Sequence, residues 1–155
     1  MLEQVSAEKR KEAGIHYTPT RLADFVAEQI LAGTTLPSSK KLRVMDPAVG
    51  NGQLLLSLAE HLLAVGTSDF EVSGFDTSSI AIESASSRLE ANFPTIKLEL
   101  ACDDFLEFVL TNYAPNGQYS LFASAPPEPC DLVIANPPYV RTQVMGQTNC
   151  TKTEV

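Results

Sequence analysis

The chain has 155 residues, 44% apolar and 19% charged, a size and composition suited to one globular domain of ordinary soluble type. No apolar run approaches the roughly 20 residues of a membrane-spanning helix, and the opening MLEQVSAEKRKEAG is polar and mixed in charge, unlike a secretory signal. A net charge of −8 runs against the basic patch that binding to a phosphate backbone calls for.

In chain order, residues 1–13 read as a polar leader. Thr18 and Pro19 then open a helix on which Leu22, Phe25, Val26 and Ile30 recur at helical spacing; proline suits the first helical position and Thr18 can cap it. Residues 33–41 read as a loop. Leu42 to Asp46 is a short strand ending in an acid, followed by a small-residue turn and a helix with Leu55, Leu58, Ala59 and Leu62 on one face. Glu71 to Asp76 is the next strand, again ending in an acid, and Thr77 and Ser78 cap a helix running to about Asn92. Ile96 to Cys102 is a third strand, with Asp103 and Asp104 ahead of a short helix. Residues 113–130, rich in Pro, Ser and Ala, read as a long loop. Asp131 to Ala135 is a fourth strand that runs into Asn136, Pro137, Pro138 and Tyr139, and residues 142–155 form a polar tail.

Strand alternating with helix, without repeats or heptads, predicts an α/β fold with a parallel sheet. All four strands deliver polar or aromatic groups at their carboxyl ends, the edge at which open α/β sheets bind ligands.

Three constellations lie on that edge. Asp46-Pro47-Ala48-Val49-Gly50-Asn51-Gly52 is a glycine-rich strand-to-helix turn, where the backbone can bend sharply and approach a ligand closely. Alone it suits any dinucleotide, but its spacing is not G-x-G-x-x-G and no P-loop lysine follows. Asp76, beyond a full-length helix, reads as an acid for the two hydroxyls of a ribose or as an ordinary helix-capping acid. The third is Asn136-Pro137-Pro138-Tyr139. Two prolines directly after an apolar strand cannot continue a ladder and fix a stiff turn. An amine on an aromatic base is a poor nucleophile because its lone pair is delocalised. The Asn136 side-chain oxygen and a backbone carbonyl of the turn can accept both amine hydrogens and favour the attacking geometry. Tyr139 offers a face on which an extruded base stacks, worth about 1–3 kcal/mol.

These motifs, in this order, resemble the N6-adenine DNA methyltransferases whose cofactor motifs precede the catalytic one, in the form seen in bifunctional restriction-modification enzymes. His16-Tyr17-Thr18-Pro19 with Arg21 resembles the family's N-terminal cofactor motif, DPAVGNG its D-P-A-x-G-x-G loop, GFD its ribose acid, DDFL the segment beside the cofactor's adenine, and NPPYVR its catalytic motif. The resemblance covers about residues 14–141, read as the N-terminal part of a Rossmann-like class I methyltransferase domain. It implies S-adenosyl-L-methionine as cofactor, with Tyr17, Thr18 and Pro19 lining the methionine end and Asp46, Pro47, Ala48, Gly50 and Gly52 shaping the pocket floor. It further implies that Asp76 holds the ribose, that Asp104 accepts from the cofactor's adenine with Phe105 packed on that ring, and that Asp103 is the alternative acid. Asn136, Pro137 and Pro138 would activate the target amine and Tyr139 would stack on the base. A sulfonium is already a strong methyl donor, so the resemblance calls for no metal and no acid–base residue, only an in-line displacement governed by positioning.

The family's domain has about seven strands, so the resemblance places strands five to seven and the target-recognition domain outside this chain, and with them the basic surface that would hold DNA. The fourth strand is then a bare edge, expected to drive self-association or leave the piece marginally stable. Two other readings stay open: a cofactor-binding fragment without activity of its own, and a glutamine or guanine N-methyltransferase, disfavoured by Ala48 and the HYTP segment. Cys102, Cys130 and Cys150 are odd in number and scattered, which argues against a disulfide framework or zinc site and fits a reducing cytoplasm. His16 and His61 are assigned no role.

Overall fold

Four strands alternate with four helices among the residues that the computed structural model describes, 17–37, 41–112 and 129–137. The polar leader, the loop between 113 and 128, Pro138, Tyr139 and the tail lie outside them. Residues Tyr17–Asn136 form one compact unit; of the other, 1–16 with 137–155, only Pro137 is described.

Helix α1 spans Thr20–Ala32. Pro19 is its N-cap, with extended backbone and no capping side chain, and its carbonyl accepts from the amides of Leu22 and Ala23. The expectation that Thr18 caps this helix fails, because the Thr18 hydroxyl accepts instead from the Asn136 side-chain amide at 3.1 Å. The buried face of α1 follows the periodicity only in part, since Val26 and Ile30 pack against the core and Leu22 and Phe25 do not. Ala23 and Ala27 are fully buried, whereas Leu22 and Phe25 are 46% and 56% exposed. Small residues let the α1 backbone approach α2, against which it packs.

Strand β1, Leu42–Asp46, alternates strictly, with Leu42, Val44 and Asp46 turned inward. It leads through the turn at 47–52 into α2, Gln53–Ala64, which buries Leu54, Leu55, Leu58, Ala59 and Leu62. Strand β2, Phe70–Asp76, buries Phe70, Val72 and Gly74, and α3 follows over Ser79–Asn92 with Ser78 as N-cap, its hydroxyl accepting from the amide of Ala81. Strand β3 is Lys97–Cys102 and α4 is Phe105–Asn112.

The last strand, β4, is shorter than the predicted Asp131–Ala135. Its ladder covers Leu132–Val133, extended at each end by the bonds Asp131 N to Arg43 O and Ile134 N to Met45 O. Asp131 fixes this register twice, since its carboxylate also accepts from the Arg43 amide at 3.0 Å.

All pairings are parallel and the strand order is β3-β2-β1-β4. Moving from β1 to β2 to β3 in one direction, right-handed crossovers set α2 and α3 on one face, where the buried Leu42, Val44, Phe70 and Val72 meet them. The return from β3 to β4 reverses direction, so the switch point of the sheet falls between β1 and β4, at the carboxyl end of both. On the opposite face Phe75 packs against Phe105 and Phe108 of α4, with centroids 5.4 and 4.9 Å apart.

Candidate active site

The site is built at that switch point from four segments. The first is the turn after β1. Gly50 and Gly52 adopt left-handed φ of 55° and 78°, which side chains disfavour, so glycine is required at both. Gly50 also lies under the Tyr17 ring, where a Cβ would come within 3.6 Å of Cδ1.

Two carboxylates organise the turn. Asp46 Oδ1 accepts from the Ala48 amide at 2.9 Å. Asp76, reaching across from β2, accepts from the Gly50 amide at 2.8 Å through Oδ2 and from the Ser78 amide at 2.9 Å through Oδ1. The ribose and capping readings of Asp76 are therefore compatible. Each oxygen has a lone pair left after its amide bond, so the same carboxylate can orient the turn and still accept two hydroxyls.

Asp46 is fully buried, and its Oδ2 has no hydrogen-bond partner among the described residues. Burial pushes its pKa up from the ordinary 3.8 to about 7; the Ala48 amide acts in the other direction, and the charge of Asp76 adds to the rise. A carboxyl raised in this way favours folding while protonated. That contribution is complete below the unfolded value of 3.8 and is lost as pH climbs through about 7. Replacing the group removes the dependence. Asp46→Asn is expected to melt at a nearly constant temperature from pH 5 to pH 8, while the parent loses on the order of 4 kcal/mol between the protonated and charged limits. A parent protein whose melting temperature is flat over that interval would rule this out.

The third segment is Tyr17-Thr18-Pro19, entering α1, and the fourth is Asn136 after β4. The bond from Asn136 Nδ2 to Thr18 Oγ1 joins them across 118 residues. It engages the donor end of the Asn136 amide and leaves the carbonyl end for another donor. Pro47 and Ala48 are half-buried in the turn, and Asn136 and Pro137 are exposed. Pro138 and Tyr139 lie outside the described residues.

Asp104 and Phe105 stand one strand further out, at the end of β3. Asp104 is the cap of α4, its Oδ1 accepting from the amides of Leu106 and Glu107 at 2.8 and 3.2 Å, which leaves Oδ2 as the oxygen for an outside donor. Asp103 Oδ1 accepts from the Asp104 amide at 2.8 Å, and its carboxylate is thereby turned back on the chain. The Phe105 ring lies on Phe75 rather than standing alone.

Sequence reasoning missed one contributor. Arg88 of α3 donates to the Asn51 carbonyl and to the Gln53 side-chain oxygen, both at 2.7 Å. The available signal was a polar pair, Gln53 and Ser57, spaced i, i+4 on the otherwise leucine-rich face of α2.

Chemically, the arrangement is a backbone turn with its amides organised by two acids, one of them buried with an oxygen that has no partner among the described residues, beside a side-chain amide that presents a carbonyl. It suits a ligand carrying positive charge and vicinal hydroxyls, next to a donor such as an amine.

Several known proteins are similar to this chain. The family model of N-6 DNA methylases matches residues 1–154. A type II methyltransferase, M.BanIII of Aneurinibacillus aneurinilyticus, is 40% identical over 149 residues, covering 93% of this chain and 25% of that protein. The chain thus spans about a quarter of the length of this curated relative. Among solved structures, the methyltransferase subunit of a type I restriction-modification system from Streptococcus thermophilus matches with a TM-score of 0.59 at 19% identity, over 81% of this chain and 24% of the other. A Listeria monocytogenes protein described as a class I S-adenosylmethionine-dependent methyltransferase matches with a TM-score of 0.51 at 21% identity, over 92% and 39%. The sheet is therefore that of the Rossmann-like class I methyltransferase fold, and the chain belongs to the N-6 DNA methylase family.

Proposed function

We propose that this chain is the cofactor-binding and amine-activating part of an enzyme that moves a methyl group from S-adenosyl-L-methionine to the N6 amine of adenine in DNA. The observation that carries this reading is the Asp46–Asp76 pair around the glycine turn, with Asn136 drawn to Thr18 beside it.

The residues fit the cofactor. S-adenosyl-L-methionine bears a sulfonium and an ammonium, and the buried Oδ2 of Asp46, without a partner among the described residues, is a seat for a cation. Asp76 accepts the ribose hydroxyls on its remaining lone pairs, and Oδ2 of Asp104 accepts from the adenine amine. Tyr17, Thr18 and Pro19 line the methionine end, while Pro47, Ala48, Gly50 and Gly52 form a floor over which no side chain projects at the two glycines. When bound, the cofactor supplies an electrophilic methyl group. The part of the chain is to hold the target amine in line with it. The Asn136 carbonyl oxygen accepts one amine hydrogen and the backbone of Pro137 and Pro138 the other, and Tyr139 stacks on the extruded base.

The substrate would be DNA held by basic surface outside these residues, since the chain itself carries a charge of −8. The location proposed is the cytoplasm; no helix of the described residues is long and apolar enough to cross a membrane. At the outer edge of β4, which pairs only with β1 among the described residues, a second copy of the chain is proposed to associate.

The reading is tested by incubating the intact protein with methyl-labelled cofactor and unmethylated DNA and then digesting the DNA to nucleosides. Label in N6-methyladenine is expected; label in a protein glutamine or in a guanine derivative would replace this reading with the alternatives. Sedimentation of the same preparation reports the association, and a monomer at all concentrations would end that part of the proposal.

A further inference from the structure

Behind the glycine turn runs a line of polar groups, buried at its centre and half-buried at its ends, with no place in the chemistry above. It begins at Arg88 on α3, whose guanidinium spans two acceptors at 2.7 Å, the Asn51 carbonyl and Gln53 Oε1. Gln53 Nε2 donates to Ser57 Oγ at 3.4 Å, and Ser57 Oγ donates to Asp24 Oδ1 of α1 at 2.7 Å. Gln53 is 7% exposed and Ser57 not at all.

Every donor in this line points the same way, from the cation of Arg88 to the anion of Asp24. Arg88 decides which end of the Gln53 amide faces it, because a guanidinium has only donors and must meet the oxygen. The nitrogen is thereby turned toward Ser57, whose hydroxyl proton is left for the carboxylate. Bonds aligned in series between opposite charges polarise one another.

Stability alone does not account for these residues. Gln53 and Ser57 occupy a face otherwise made of leucine and alanine, and well-packed apolar side chains often hold such positions equally well or better. What apolar residues cannot do is fix the Asn51 carbonyl, between the two left-handed glycines, by direct bonds. The other end of the line, Asp24, lies in the helix that Tyr17, Thr18 and Pro19 enter. The line therefore links from behind the two segments that the cofactor would touch in front.

We propose that Arg88 is a positioning residue for cofactor binding, coupled through Gln53 and Ser57 to Asp24, so that the glycine turn and the Tyr17–Pro19 segment are held in register as one unit. This rests on the cofactor reading given above. Lysine at position 88 keeps the charge but cannot span both acceptors as a planar fork. Alanine at position 57 interrupts the line without touching the pocket.

The test is titration of the intact protein with S-adenosyl-L-methionine beside Arg88→Lys, Ser57→Ala and the double variant, each well below its own melting temperature. Each single variant is expected to bind roughly tenfold more weakly, and the double variant less than about twofold more weakly than the worse single one. Single variants that melt lower but bind like the parent would overturn the proposal, since a purely structural role moves only the melting temperature. Fully additive losses would overturn the coupling. Absence of binding by the parent itself would overturn the cofactor reading and this inference with it, whereas parent binding with unaffected variants overturns this inference alone.

Discussion

Asp76→Ala is expected to lose about 100-fold or more in affinity for S-adenosyl-L-methionine by titration calorimetry while its circular dichroism stays that of the parent. The carboxylate holds the turn and, in the proposed assignment, the ligand as well. Its bonds from the Gly50 and Ser78 amides, at 2.8 and 2.9 Å, set the ends of the turn and of α3. Hydrogen bonds to a charged group each contribute about 1.5–3 kcal/mol, so two ribose bonds alone exceed the figure given. Folding survives because Asp76 is partly exposed and Ser78 caps α3 with its own hydroxyl. Asp76→Asn is the finer probe, since it puts a donor where one amide now donates and is expected to bind weakly too. Undiminished binding by the alanine variant would reject the ribose assignment.

Gly74→Ala is expected to cost about 3 kcal/mol in urea unfolding, a large effect for one methyl group. Gly74 is the last buried position of β2, beneath the turn. A Cβ there would lie 2.2 Å from Val49 Cγ2, 3.0 Å from the Asp46 carbonyl oxygen and 3.2 Å from Leu100 Cδ2. Val49 cannot retreat freely. It is 4% exposed and its amide donates to the Phe75 carbonyl at 2.8 Å, which ties it to the same strand. Relief must then come from lifting the turn off the sheet, so cofactor affinity is expected to fall along with stability. Val49→Ala in the Gly74→Ala background removes the nearest contact and is expected to recover part of the loss. A Gly74→Ala protein that unfolds at the parental urea concentration would show that β2 and the turn do not approach this closely.

The strands and their terminal acids were legible because a parallel strand buried in the sheet leaves a local signal, a short apolar run closed by a polar residue. Leu42–Asp46 agrees to the residue and β2 differs by one, beginning at Phe70. Helix α1 shows the limit of periodicity. Its large apolar residues marked the helix correctly, yet Leu22 and Phe25 are exposed and the centre of the packing face, between Val26 and Ile30, is Ala23 and Ala27, and alanine gives no amphipathic signal of its own. Thr18 was read as a cap from local chain chemistry, but its partner lies 118 residues away. Arg88 was illegible for the same reason. Its acceptors are 35 and 37 residues earlier, and an arginine late in a polar helix looks solvated until the tertiary contact is known. The acids at the strand ends were legible as types and positions, whereas which oxygen of Asp104 caps α4 depends on the folded geometry.

The two bonds between Asp131 and Arg43 bear on the order in which the chain can fold. The Arg43–Glu71 contact from β1 to β2 closes 28 residues, a loop that includes its own helix, whereas β4 reaches β1 only across 88. Loop entropy rises slowly with length, but a contact at that distance forms after the local helix–strand units exist. On a ribosome, where earlier segments emerge first, β1 through β3 are complete while the free side of β1 still waits for its neighbour. Asp131 meets that edge with its amide and its carboxylate together, and so pins the late strand at one register where a pairing of two residues would otherwise slide.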